Sequence, residues 1–141
     1  MTNIVVLALV LIAYGENATD KTISSHNAVG RYQIRYCVVQ DVNRLYHKHY
    51  TLRDMQDPIK AQNCAMMWLV HYRRVYKITT AETLARCWRC GPTGALKRHE
   101  GFWYVKRAKE RFREQKRSKD ETGACARSGC NVHPLMSPRK D

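Results

Sequence analysis

Glu16 is the first charged side chain in the chain, and the apolar run Ile4–Ala13 stands just before it. A solvated loop has no use for such an arrangement. If the run is a helix packed in a core, the carboxyl lies at the helix's C-terminal end, where burial and the negative pole of the helix dipole both disfavour ionisation. Its pKa then rises. A carboxylic acid that keeps its proton near neutral pH suits cleavage of a glycosidic bond, because the leaving oxygen departs only once protonated. The alternative for Glu16 is a surface carboxylate on the loop after a helix.

The six cysteines are the second set of residues able to do chemistry. Cys87-x2-Cys90 with Cys125-x4-Cys130 and His99 or His133 could supply four zinc ligands, which on a basic chain would suggest a nucleic-acid-binding module. Disulfide pairing within the C-terminal tail is a comparable alternative. With Cys37 and Cys64 completing the set, the number does not force a disulfide scaffold, since 141 residues can bury a core without cross-links. We expect neither a metal nor a cofactor.

The elements that must position these groups read as helices. Asn3–Gly15 forms the first, and residues 16–30, polar and without a period, form a loop. "CVVQDVNRLYHKHY" sets Val38, Val39, Val42, Leu45 and Tyr46 on one helical face. Asp57 before Pro58 suits an N-cap with proline at the first helical position, opening a helix that buries Ala65, Trp68, Leu69, Tyr72, Val75 and Tyr76. Thr79 and Glu82 have capping-box spacing for a helix carrying Ala81, Leu84, Ala85 and Trp88, which Gly91 and Pro92 stop. Tyr104, Val105, Ala108 and Phe112 fit one last amphipathic helix. From Ser118 the composition turns to Gly, Ser, Pro and charge, which predicts a domain over residues 1–117 and a flexible basic tail over 118–141.

Charge names a sign for the partner. With 25 Lys and Arg against 12 Asp and Glu, the formal +13 attracts polyanions: nucleic acid, anionic lipid or an acidic wall polymer. "VKRAKERFREQKRSK", Val105–Lys119, holds eight of the basic residues and reads either as a solvated helix face or as a polyanion contact. Ile4–Ala13 is too short for a membrane span but long enough for a signal-peptide core; because no Lys or Arg precedes it, a structural first helix is expected, with a cleaved signal as the alternative.

Four stretches in order resemble the soluble lytic transglycosylases, the goose-type branch of the lysozyme superfamily. "ENATD" and "NAVGRYQIR" are similar to the first two motifs, matching at Glu16 and at Gly30, Gln33 and Ile34. "ARCWRCGPTG" resembles the third at Trp88, Gly91, Pro92 and Gly94, and "EGFWYVKRA" the fourth at Glu100, Tyr104 and Val105, with "QDP" opening the intervening helix. The resemblance covers residues 7–112. Asn17 stands where many members have Ser, and Arg89 and Cys90 where an Asn is usual. Glu16 is in register if the loop is about two residues shorter than common; otherwise Tyr14 takes the catalytic place and the chain is an inactive relative.

The resemblance implies a mainly α, lysozyme-like α+β fold with a cleft for the peptidoglycan glycan strand, cleaved between N-acetylmuramic acid and N-acetylglucosamine. Glu16 would be general acid and then base, acting on the muramoyl hydroxyl at carbon six to give a 1,6-anhydro product, or on water in the lysozyme route. A second flanking carboxylate would favour hydrolysis, and Asp20, the nearest in sequence, is expected only to brace the loop. Gln33 would hold substrate or Glu16, Tyr104 and Tyr32 would either line the cleft or sit in the core, and Trp88 and Asn17 complete the expected contacts. The work would be done at the bacterial wall, in the periplasm or outside the cell. Two other classes stay open: a non-catalytic wall-contacting component with phage structural proteins as partners, carried in a virion, and a basic nucleic-acid-binding module.

Overall fold

In the computed structural model, residues 2–127 are described, with side chains as far as Asp120. The order is α1 (Thr2–Glu16), α2 (Tyr36–Tyr46), a 3-10 turn (Arg53–Gln56), α3 (Pro58–Val75), α4 (Ala81–Leu96) and α5 (Phe102–Arg127). α1 is the central rod and touches α3, α4 and α5. Val5, Ala8, Leu9 and Ile12, spaced three and four apart, are its buried stripe. Burial of each large side chain such as Ile12, Leu69 or Leu84 contributes roughly 1.5–3 kcal/mol. Asn3, Val6, Leu7 and Val10, on the other side, face solvent.

The domain is mainly helical. Among the described residues the β component is two isolated antiparallel bridges, Ile23 with Val29 and Val29 with Ile34. They fold the polar loop after α1 back on itself, and Gly30 (φ 76°) passes so close to the Met55 carbonyl that no Cβ would fit.

Several details depart from the sequence expectations. α2 stops at Tyr46 because His47 takes a left-handed conformation (φ 51°). On α3, Asp57 caps as expected, its side chain accepting from Ile59 N and Lys60 N, but Val75 and Tyr76 are exposed because the last turn outruns the core. α4 is capped by Thr80, which accepts from Thr83 N, and not by a Thr79–Glu82 box; Glu82 instead accepts from Lys109 Nζ at 2.9 Å. Gly91 (φ 73°, ψ 163°) breaks α4 as expected, yet Pro92 restarts it and helix continues to Leu96. Phe112 is exposed and meets Tyr14 edge-on, ring centroids 5.3 Å apart.

Helix continues past Ser118, since α5 runs on to Arg127. Lys119, Glu121, Ala124, Ala126 and Arg127 are good helix formers, and the one Gly costs only about 1 kcal/mol against Ala. Residues 128–141, with Cys130 and His133, lie outside the described residues, as does the Cys125 side chain.

Arg86 ties α4 to α5. Buried at 5% exposure, it donates from Nε to Glu100 O and from Nη2 to Ala95 O, both 2.6 Å, with its guanidinium 3.8 Å over the Phe102 ring. The charge is thus satisfied by carbonyls and a ring face. Its effect is to set where α5 begins and hence where Tyr104 lands.

Candidate active site

Glu16 is the last residue of α1, and Asn17 follows with φ 49°, its N–H bonded to Ala13 O at 3.1 Å. An asparagine in this conformation is a common helix terminator. The carboxyl is partly buried and opens into a cleft of about 670 Å³ lined also by Gln33, Arg35, Asp41, Tyr72, Trp88 and Arg89. Desolvation raises its pKa, opposed by a hydrogen bond from Tyr104 and by the positive charges of Arg89, Arg35 and Arg111. Of the two reasons the sequence offers for a raised pKa, burial operates. The helix pole does not act unopposed, because Arg111 Nη1 donates to Tyr14 O at 2.9 Å and Gly15 O at 2.8 Å.

Tyr104 comes from α5, 88 residues away. Its hydroxyl lies 3.0 Å from Glu16 Oε1 and 3.3 Å from Ile12 O. A phenol has one proton, so it donates to one at a time. Toward the ionised carboxylate it donates to Glu16; when Glu16 is protonated, the carboxyl can donate to Tyr104 Oη while Tyr104 turns to Ile12 O. Burial and the neighbouring carboxyl push the phenol's own pKa far up, so it stays protonated. Gly15 makes the approach possible: a Cβ there would fall 2.6 Å from Tyr104 Cε2.

The structure brings together three of the expected residues, Glu16, Gln33 and Trp88. Gln33 has φ 50° and donates from Nε2 to Gly30 O at 2.9 Å, which orients its amide along the cleft rim. Trp88 donates from Nε1 to Tyr32 O at 3.0 Å and stands edge-on to Trp68, which tilts against Tyr72. Tyr104 is a correction: at 2% exposure it backs the carboxyl rather than lining a cleft wall. Tyr32 is likewise buried, contributing its carbonyl to Trp88. Asn17 points to a different hollow, shared with Asp20, Arg31 and Lys119, so it offers nothing to the Glu16 cleft. Asp20 pairs with Arg31 at 3.4 Å and braces the loop.

Tyr14 does not take the acid's place. It faces α5, edge-on to Phe112 and with its hydroxyl donating to Gln115.

Two contributors escaped the sequence reading. Asp41 on α2 is a second carboxylate in the cleft, engaged by Arg44 at 3.3 Å and by the Tyr72 hydroxyl at 3.1 Å. Tyr72, expected as core, is partly exposed in the same wall. The signal was available in outline: Trp68 and Tyr72 are one turn apart, so an aromatic pair on one helix face was readable, though not which face opened to solvent.

The zinc alternative finds no support in the half that is described. Cys87 is fully buried, with burial pushing its thiol up to about 11, and no cluster of metal-binding side chains occurs among the described residues. Among those residues, too, no helix is long and apolar enough to cross a membrane. No protein-family model, curated protein or solved structure matches the chain, so the geometry of this cleft stands as its own basis for a functional reading.

Proposed function

We propose that the chain cleaves the glycan strand of peptidoglycan between N-acetylmuramic acid and N-acetylglucosamine, within a lysozyme-like α+β architecture whose β part is the pair of bridges over residues 23–34. One observation carries the reading: a carboxyl with a raised pKa at the end of a buried helix, opening into an aromatic-walled cleft. Protonated, Glu16 donates to the leaving oxygen; the resulting carboxylate is steadied by Tyr104 and by three nearby arginines, then takes a proton in the second step. General acid–base help of this kind supplies about 10²–10⁴ in rate.

Trp88 and Tyr72 offer flat apolar faces to sugar rings, and Gln33 an amide for hydroxyl or acetamido groups. Asp41 is already held by Arg44 and Tyr72, leaving Glu16 as the carboxyl without an ion-pair partner in the cleft among the described residues. That balance favours attack by the muramoyl hydroxyl at carbon six, giving the 1,6-anhydro end, over a two-carboxylate hydrolysis. The site of action is then the bacterial wall, reached from the periplasm, from outside or within a virion.

The test is digestion of purified sacculi by the wild type and by Glu16→Gln, with released fragments read by mass spectrometry. Anhydro-muropeptides from the wild type alone support transglycosylation by Glu16, and reducing ends support the lysozyme route. If neither protein releases fragments, the catalytic reading fails. Sacculus binding would then leave a wall-contacting role standing.

A further inference from the structure

The cleft leaves unexplained the basic α5 stripe and the apolar flank of α1. Val6, Leu7 and Val10 are 42%, 49% and 37% exposed, side by side on one face of a helix that is apolar on nearly every side. An apolar groove of about 590 Å³ runs from this face to α5, with Leu7, Val10 and Phe112 in its walls and Lys109, Arg113 and Lys116 along its edge. A neighbouring groove of about 570 Å³ shares Glu82, Lys109 and Arg113 and adds Lys106, Glu110 and the exposed rings of Phe102 and Trp103.

The spacing on α5 joins the two grooves. Phe102, Lys106, Lys109, Arg113 and Lys116 recur at intervals of four and three, which is one stripe of an α-helix. Lys109 is paired with Glu82, while Lys106, Arg113 and Lys116 have no ion-pair partner among the described residues. Contiguous exposed apolar side chains bordered by unneutralised cations mark an interaction surface, and α1 at 15 residues is too short to cross a bilayer.

We propose that this flank docks on an anionic lipid bilayer. Val6, Leu7, Val10 and Phe112 would enter the boundary between headgroups and acyl chains. Lys106, Arg113 and Lys116 would meet lipid phosphates, and Trp103 would lie at headgroup depth, where indoles concentrate. Charge complementarity selects this occupant, because an uncharged apolar partner would leave three cations facing it without counterions. The two grooves share no lining residue with the Glu16 cleft, although Trp103 lies against Arg89 of its wall, so docking does not depend on the enzymatic reading.

The experiment is co-sedimentation of the full chain with vesicles of phosphatidylcholine alone and of phosphatidylcholine mixed with phosphatidylglycerol, with tryptophan emission recorded in parallel. Binding to the phosphatidylglycerol vesicles with a blue shift that Trp103→Phe diminishes is expected. Arg113→Gln and Lys116→Gln should each weaken it about fivefold. Leu7→Gln and Val10→Gln should each weaken it about tenfold. All four positions are on the surface, and unchanged circular dichroism and melting would show the fold intact.

Equal binding to both vesicle types, or none to either, overturns the proposal. Loss through the charge variants with no effect of the Leu7 and Val10 variants also overturns it, since the apolar flank would then take no part. A dimer in light scattering that Leu7→Gln dissolves, without vesicle binding, assigns the face to a second copy instead.

Discussion

Two carboxylates, Glu16 at the end of α1 and Asp54 in the 3-10 turn, show how the same group is tuned in opposite directions. Asp54 accepts from Lys60 Nζ at 2.6 Å and from Thr51 N and Oγ1 at 2.8 Å, and these donors hold its pKa far below the usual carboxylate range. Glu16 has one hydroxyl at 3.0 Å and cations that are near but not bonded to it, and desolvation wins. Donor count against burial decides which carboxyl can hold a proton. Asp54 is saturated with donors; Glu16 is kept short of them.

The comparison breaks most sharply at the acid itself. Glu16→Gln keeps the shape and removes the proton donor, so glycan release should fall by about 10³ or more, read as muropeptide yield. Next comes Gly15→Ala, whose Cβ collides with the Tyr104 ring. Its expected cost is roughly 1–3 kcal/mol in denaturant unfolding, although alanine would normally favour a helix. Tyr104→Phe removes a bond that favours the charged form of Glu16. The alkaline limb of the pH–rate profile should move to higher pH and the rate should fall roughly tenfold.

Smaller effects separate the two carboxylates in stability. Glu16 binds its proton more tightly folded than unfolded, so its contribution to stability falls as pH rises through the unfolded value and levels off above the folded one. Glu16→Gln should therefore melt higher than wild type at pH 7, the gap closing as pH falls below the ordinary carboxylate range. Asp54 has the opposite sign: its depressed pKa stabilises above the unfolded value and is lost as pH falls through the folded one. Asp54→Asn should lower Tm by about 1–3 °C at neutral pH, with no difference in strong acid. Equal signs for the two variants would sink the comparison.

The helical content and the candidate acid were legible because each rests on local pattern. The helix before Glu16, the Asp57-Pro58 start of α3 and the break at Gly91 follow from a few neighbouring residues, and all three are observed. What could not be read was long-range. Tyr104 reads equally as a cleft or a core tyrosine, and only the crossing of α5 behind α1 puts it behind Glu16. Arg111 cancels a helix pole that local reasoning treats as free. Asp41 was hidden because an acidic residue on an amphipathic helix is ordinary until the face opposite it proves to be a cleft.

The reach of Arg111 and Tyr104 back to α1 also sets when the cleft can come into being. Their contacts with Tyr14 and Glu16 close loops of 97 and 88 residues, so the end of α1 is finished only after nearly the whole domain has left the ribosome. Until then the carbonyls of Tyr14 and Gly15 lack the Arg111 guanidinium, and the carboxyl next to them lacks the Tyr104 hydroxyl. A nascent or truncated chain ending before α5 therefore lacks both partners, and the surroundings of the Glu16 carboxyl are complete only with the last helix.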